Sequence, residues 1–106
     1  MILKQGVSID GCRPEILIAA IKVIAPIFDG YGKEAVITSG TEKHKHSARR
    51  SRHYAGDALD FRHRFFDTIH EKVIVLEELQ EALGKHFVVV LESTHYHVHF
   101  APVYEE

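Results

Sequence analysis

The chain is expected to be a small α+β domain, with a mainly antiparallel sheet packed against two or three helices. Three observations support this. Two segments carry apolar residues at helical spacing, four short runs are apolar, β-branched or alternating, and these follow one another as helix, strand, strand, helix, strand, strand. Strands adjacent in sequence favour antiparallel pairing over a doubly wound sheet. At 106 residues the chain is read as one domain, 1–106, with no repeat, low-complexity tract or interdomain linker.

Residues 1–12 read as an extended or looping lead-in, with a turn signal at Asp10-Gly11. Pro14 suits the first turn of a helix, where its missing N–H has no partner to lose. Leu17, Ile21, Ile24 and Phe28 make one apolar face, and Pro26 is expected to kink or end the helix. Ala35 to Thr38 reads as a strand closed by Ser39-Gly40. Residues 41–56 are polar, basic and rich in histidine, a long loop of the kind that compact domains keep for function. Asp57 to Phe61 reads as a second strand, with Ala58 expected on the face opposite Asp60.

Asp67 or Thr68 should cap the next helix, since Thr68-Ile69-His70-Glu71 has the form of a capping box. Ile69, Val73, Leu76 and Leu83 give it an apolar face, and Gly84 stands where a C-terminal glycine belongs. Phe87 to Leu91 is continuously apolar and is expected to be a central strand buried on both sides. His95 to Phe100 alternates, with histidines on one face and Tyr96, Val98 and Phe100 turned to the core.

Composition excludes several function classes. The net charge of −2 does not describe a polyanion binder, and the basic stretch Lys43 to Arg52 lacks the aromatic platform of a single-strand nucleic-acid groove. That stretch reads as a solvated loop, or as a surface drawn to an anionic wall polymer. A lone Cys12 cannot form an internal disulfide and reads as an idle thiol. No signal peptide is evident, and the apolar runs are too short for a membrane span. A cytoplasmic product as synthesised is expected, a monomer without nucleic-acid or membrane partners.

Nine histidines are unusual for this length, and their placement is informative. In Ser51-Arg52-His53-Tyr54-Ala55-Gly56-Asp57-Ala58-Leu59-Asp60, a loop histidine precedes a glycine that permits a tight turn, a small alanine, and then an aspartate. An imidazole and a carboxylate suit zinc, and a catalytic zinc needs a third ligand with a fourth position left open. The stripe His95, His97, His99 can supply that ligand. Glu92, just before it, is a candidate general base. His63, His70 and His86 read as ordinary polar residues.

The pattern Ser51-x-His53-x-x-Gly56-x-Ala58-x-Asp60, followed by Glu92-Ser93-Thr94-His95-Tyr96-His97, resembles the M15 peptidases. These include zinc D-alanyl-D-alanine carboxypeptidases, related dipeptidases and phage endolysins, and the hedgehog signalling domain shares their fold. Val36 to Thr41 and Arg13 to Leu17 are also similar to family segments, so the resemblance covers most of the chain.

The resemblance implies a hedgehog/DD-peptidase-like fold and a zinc metallopeptidase that hydrolyses peptidoglycan stem peptides. The bond would be at a D-Ala terminus or, as in endolysins, after L-Ala. His53 and Asp60 carry over as zinc ligands. The third ligand is His95 or His97, with His97 favoured by the spacing of the His-x-His strand. His95 would then stabilise the transition state, beside Glu92 as base. Family members often hold the substrate carboxylate with an arginine soon after the Ser-Gly turn. Here Thr41 and Glu42 stand there instead, which leaves Arg49, Arg52 and His46 as candidate substrate contacts. Many members also place an acidic residue where this chain has Thr94. A signal-free chain fits a cytoplasmic enzyme or a phage lysis enzyme released to the wall. The alternative is a zinc-containing binding module of the same fold without turnover.

Overall fold

A computed structural model describes residues 1–42, 53 and 55–104. Five strands form one mixed sheet in the order β1-β2-β3-β5-β4: β1 (Ile2–Leu3), β2 (Val36–Ser39), β3 (Ala58–Arg62), β4 (Phe87–Leu91) and β5 (His95–Phe100). The expected α+β class holds, with one addition. Residues 2 and 3 of the lead-in pair parallel with β2, while all other pairs are antiparallel. A two-residue strand at the edge carries no periodicity to read, and the helical crossover that follows it is what makes the pairing parallel.

That crossover runs as α1 (Pro14–Ala19), a π-helical turn (Ala20–Ile24) and α2 (Ala25–Gly30). Arg13 is extended at ψ 145° and Pro14 opens the helix, as expected of Pro at N1. Pro26, however, neither ends nor interrupts it. The Ala25 N–H reaches back to the Ala20 carbonyl, so the helix widens by one residue just before the proline. The buried stripe is also not the expected one. It is Ile16, Ala20, Ile24 and Phe28, while Ile21 is 60% exposed. A four-residue repeat drifts by about 40° per step on an α-helix, and the wider turn takes up part of that drift.

α3 (Ile69–Leu83) starts at Thr68, whose hydroxyl accepts from the Glu71 N–H at 3.1 Å, and stops at Gly84 with φ 83°. Its fully buried residues are Val75 and Leu79, with Leu76 and Leu83 packed beside them. Ile69, expected on the buried face, is 69% exposed; it is the first residue of the helix, and the buried face is set by Val75 and Leu79.

Among the described residues, helices cover one sheet face only. There the core gathers around Phe28, whose ring lies 5.8 Å from Phe66, 6.3 Å from Phe61 and 6.3 Å from Tyr96 between centres. The buried Tyr96 hydroxyl donates to the Lys72 carbonyl at 2.6 Å, pinning α3 over β5.

β4 is an edge strand, not the central one its apolar run predicted; Val88 and Val90 on its outer face stay partly exposed. Gln80 blunts that edge. Its Oε1 accepts from the Val89 N–H at 2.9 Å and its Nε2 donates to the Phe87 carbonyl at 2.8 Å. No described helix is long and apolar enough to cross a membrane.

Candidate metal centre

The face of the sheet away from the helices carries the histidines. Register places the residues in rows across β3, β5 and β4: Ala58, His99 and Val88; then Asp60, His97 and Val90; then Arg62 and His95. Paired residues on adjacent strands point to the same face, and so do residues two apart on one strand. Ala58 therefore lies on the same face as Asp60, a correction to the expectation. The alanine leaves space on the side of the cluster where His99 stands.

Asp60 is the hub. Its Oδ1 lies 3.0 Å from His97 Nδ1 and 3.2 Å from His53 Nε2, and its Oδ2 lies 3.4 Å from His95 Nε2. His53 and Asp60 are 5% and 7% exposed, so these contacts are shielded from water. Burial opposes ionisation of Asp60, but the hydrogen bonds and positive charge from His53, His97 and His95 outweigh it and hold the carboxyl down at about 2. For His53, burial opposes the charged form, and the Asp60 carboxylate overrides it to raise the pKa above its ordinary value.

His53 is oriented from behind. Its Nδ1 lies 3.1 Å from the Gly40 carbonyl oxygen. A carbonyl only accepts, so Nδ1 carries the hydrogen and Nε2 presents its lone pair towards Asp60. Gly40 is itself clasped, because its N–H donates to Glu42 Oε1 at 2.7 Å. The Ser8 N–H donates to the same oxygen at 3.0 Å, and the Ser39 hydroxyl donates to Oε2 at 2.6 Å. Burial opposes ionisation of Glu42, but these donors lower its pKa overall. A side chain at position 40 would strike the Ser8 carbonyl oxygen, so only glycine lets the backbone pass here.

Gly56 does the same on the other side of His53. It has φ +79°, and a Cβ there would strike the Gly11 carbonyl oxygen. Its N–H closes the turn onto the His53 carbonyl at 3.1 Å, and its own carbonyl accepts from the Arg13 N–H at 2.9 Å. The glycine of the motif thus ties the turn at His53 to the start of α1.

The donor set fits a cation. The ligand atoms of His53, Asp60 and His97 all lie within 4.8 Å of one another, so this group could hold a metal ion. Neutral His53 points a lone pair at a carboxylate oxygen, an arrangement that a proton or a cation between them relieves. Of the two β5 candidates His97 belongs to this group, and His95 stands at the other carboxylate oxygen with its Nδ1 2.9 Å from the Thr94 hydroxyl.

The remaining expected residues are dispersed. Glu92 is exposed in the β4–β5 connection, with its N–H on the His95 carbonyl and its carbonyl on His63 Nε2. Its side chain makes no hydrogen bond or ion pair among the described residues, although continued register puts it across from His95. Arg49, Arg52 and His46 lie outside the described residues.

Sequence reasoning missed the Gly40–Glu42 clasp and the His97–His99 contact. It also missed Arg62, the cation in register with His95. The Ser39-Gly40 turn and the strict alternation of 95, 97 and 99 were the available signals. Compared with protein-family models, curated proteins and solved structures, the chain matches none of them.

Proposed function

We propose that this chain is a zinc metallopeptidase that hydrolyses the peptide part of peptidoglycan, as its resemblance to the M15 peptidases implies. One observation supports it above the rest. The two sequence motifs that carry the resemblance lie far apart in the chain, yet His53, Asp60 and His97 come within 4.8 Å of one another. Zinc in this group would supply Lewis acidity to a scissile carbonyl.

The chain's own residues do the positioning. Gly40 and Glu42 fix the imidazole of His53, and β3–β5 register sets Asp60 against His97. His95 lies 3.4 Å from Asp60 and 2.9 Å from the Thr94 hydroxyl, and in this reading its imidazole would steady a developing oxyanion once Nε2 turns from Asp60 to the substrate. Glu92 is the carboxylate assigned to take the proton from the attacking water. Val88 and Val90, on the same sheet face in register with His99 and His97, are partly exposed.

One observation favours a second reading, a metal-holding module without turnover. Glu92 is exposed, and among the described residues no carboxylate other than Asp60 touches the histidine cluster. The two readings separate on incubation of zinc-loaded protein with purified peptidoglycan, followed by mass spectrometry of the soluble fraction. Released peptides, suppressed by a chelator, support the peptidase, and their new termini identify a D-Ala carboxypeptidase or an endopeptidase cutting after L-Ala. An unchanged wall with zinc still bound contradicts it and supports the module.

A further inference from the structure

We infer that His99 is a positioning residue for the metal group, holding His97 through the ring nitrogen that the metal does not use; this rests on the metal reading above. His97 Nδ1 faces Asp60 Oδ1 at 3.0 Å, the side on which His53 also stands. Its other nitrogen, Nε2, lies 3.1 Å from His99 Nδ1. The chemistry of an imidazole then fixes the roles. A ring that offers the Nδ1 lone pair to a cation must carry its hydrogen on Nε2, so Nε2 donates and His99 Nδ1 accepts.

Without that acceptor, no hydrogen bond among the described residues selects the tautomer that leaves Nδ1 free. The ring is also otherwise able to turn about its Cβ–Cγ bond, which carries Nδ1 away from Asp60. The ring centres of His97 and His99 are 5.2 Å apart and the planes are tilted by 56°, so the rings are not stacked.

The arrangement mirrors the treatment of His53. That imidazole has its outer nitrogen on the Gly40 carbonyl, whereas His97 has its outer nitrogen on a second imidazole. Outer partners of metal-bound histidines are commonly carboxylates, which raise the basicity of the ligand. Here the outer partner is an imidazole, which orients His97 without setting a carboxylate behind it. His99 can reach because it is two residues on along β5, on the same face, and because its neighbour across β3 is the small Ala58.

The test compares zinc affinity of the wild-type chain, His99→Ala and His99→Asn, by competition with a chromophoric chelator. Cobalt(II) absorption is read on the same three proteins. Asparagine sets a carbonyl oxygen near the position of His99 Nδ1, so it restores the acceptor without an imidazole. The expected result is affinity roughly 10- to 100-fold weaker in His99→Ala, recovered to within a few-fold in His99→Asn, with the cobalt spectrum altered only in the alanine variant. Affinity and spectrum unchanged in His99→Ala would overturn the inference, and so would equal losses in both variants. A wild-type chain that takes up neither metal would overturn the metal reading itself, a result distinguishable from either of these.

Discussion

Asp60 and His97 face each other across β3 and β5, in register, with Oδ1 and Nδ1 3.0 Å apart. They are 37 residues apart in the chain. Only sheet pairing brings them together, so the geometry of the site is as stiff as the sheet. His53 is different. It hangs on a loop and depends on Gly40, Glu42 and Gly56 for its place.

Glu42→Gln tests that dependence. The substitution keeps the shape but replaces the charged acceptor of the hydrogen bonds from Ser8, Ser39 and Gly40. A loss of about 1–3 kcal/mol in urea unfolding at pH 7 is expected. Because the folded-state pKa of Glu42 is lowered, its stabilisation is present above the ordinary carboxyl value and is lost as pH falls through the folded value. The difference between wild type and variant should therefore shrink in acid. A constant difference would contradict this account.

Gly56→Ala should be worse than a surface glycine change such as Gly30→Ala. It meets both a positive φ and the Gly11 carbonyl, whereas position 30 has open space. A cost of roughly 1–3 kcal/mol or more is expected at position 56, together with weaker metal binding because His53 moves. Equal midpoints for the two variants would count against it.

Zinc should stabilise the fold, and more so at higher pH. In the metal-free protein the pKa of His53 is raised, so the stability it contributes is full below its ordinary value of 6.5 and is lost as pH rises through the raised value. Zinc needs the neutral imidazole, so its uptake tightens over the same range. Calorimetric Tm values with zinc and with a chelator should therefore diverge from pH 6 to pH 8. In acid both forms weaken, because the contribution of Asp60 is lost as pH falls towards about 2. A gap in Tm that narrows from pH 6 to pH 8 would contradict the assignment of His53.

Glu92→Gln separates base from scaffold. Glu92 is exposed, so stability and zinc content should be unchanged, while peptide release should fall by roughly 10²- to 10⁴-fold. Full activity in the variant would remove Glu92 from the chemistry.

Much of this was legible in the residues. Strict alternation in His95 to Phe100 reports one wet and one dry face, and the structure buries Tyr96 and Val98 accordingly. The Thr68 cap and the Gly84 stop are local chemistry and were readable as such. What failed was non-local. The run Phe87 to Leu91 reads as buried on both sides, because an apolar run does not say which neighbour is missing; Gln80, not a strand, meets its outer edge. Pro26 reads as a kink or an end to the helix, and it does not end it; the widening at Ala20 to Ile24 that precedes it has no sequence marker. Within the site, His53 and Asp60 were readable from their spacing. The Gly40 carbonyl and the Glu42 clasp depend on Ser8, 34 residues from Glu42, and no local pattern shows that.

The most direct test of the central claim is the zinc content of the purified chain by elemental analysis, beside that of His53→Ala. The account predicts one zinc per wild-type chain and close to none in the variant. No zinc in the wild type, or the same zinc in both, would contradict it.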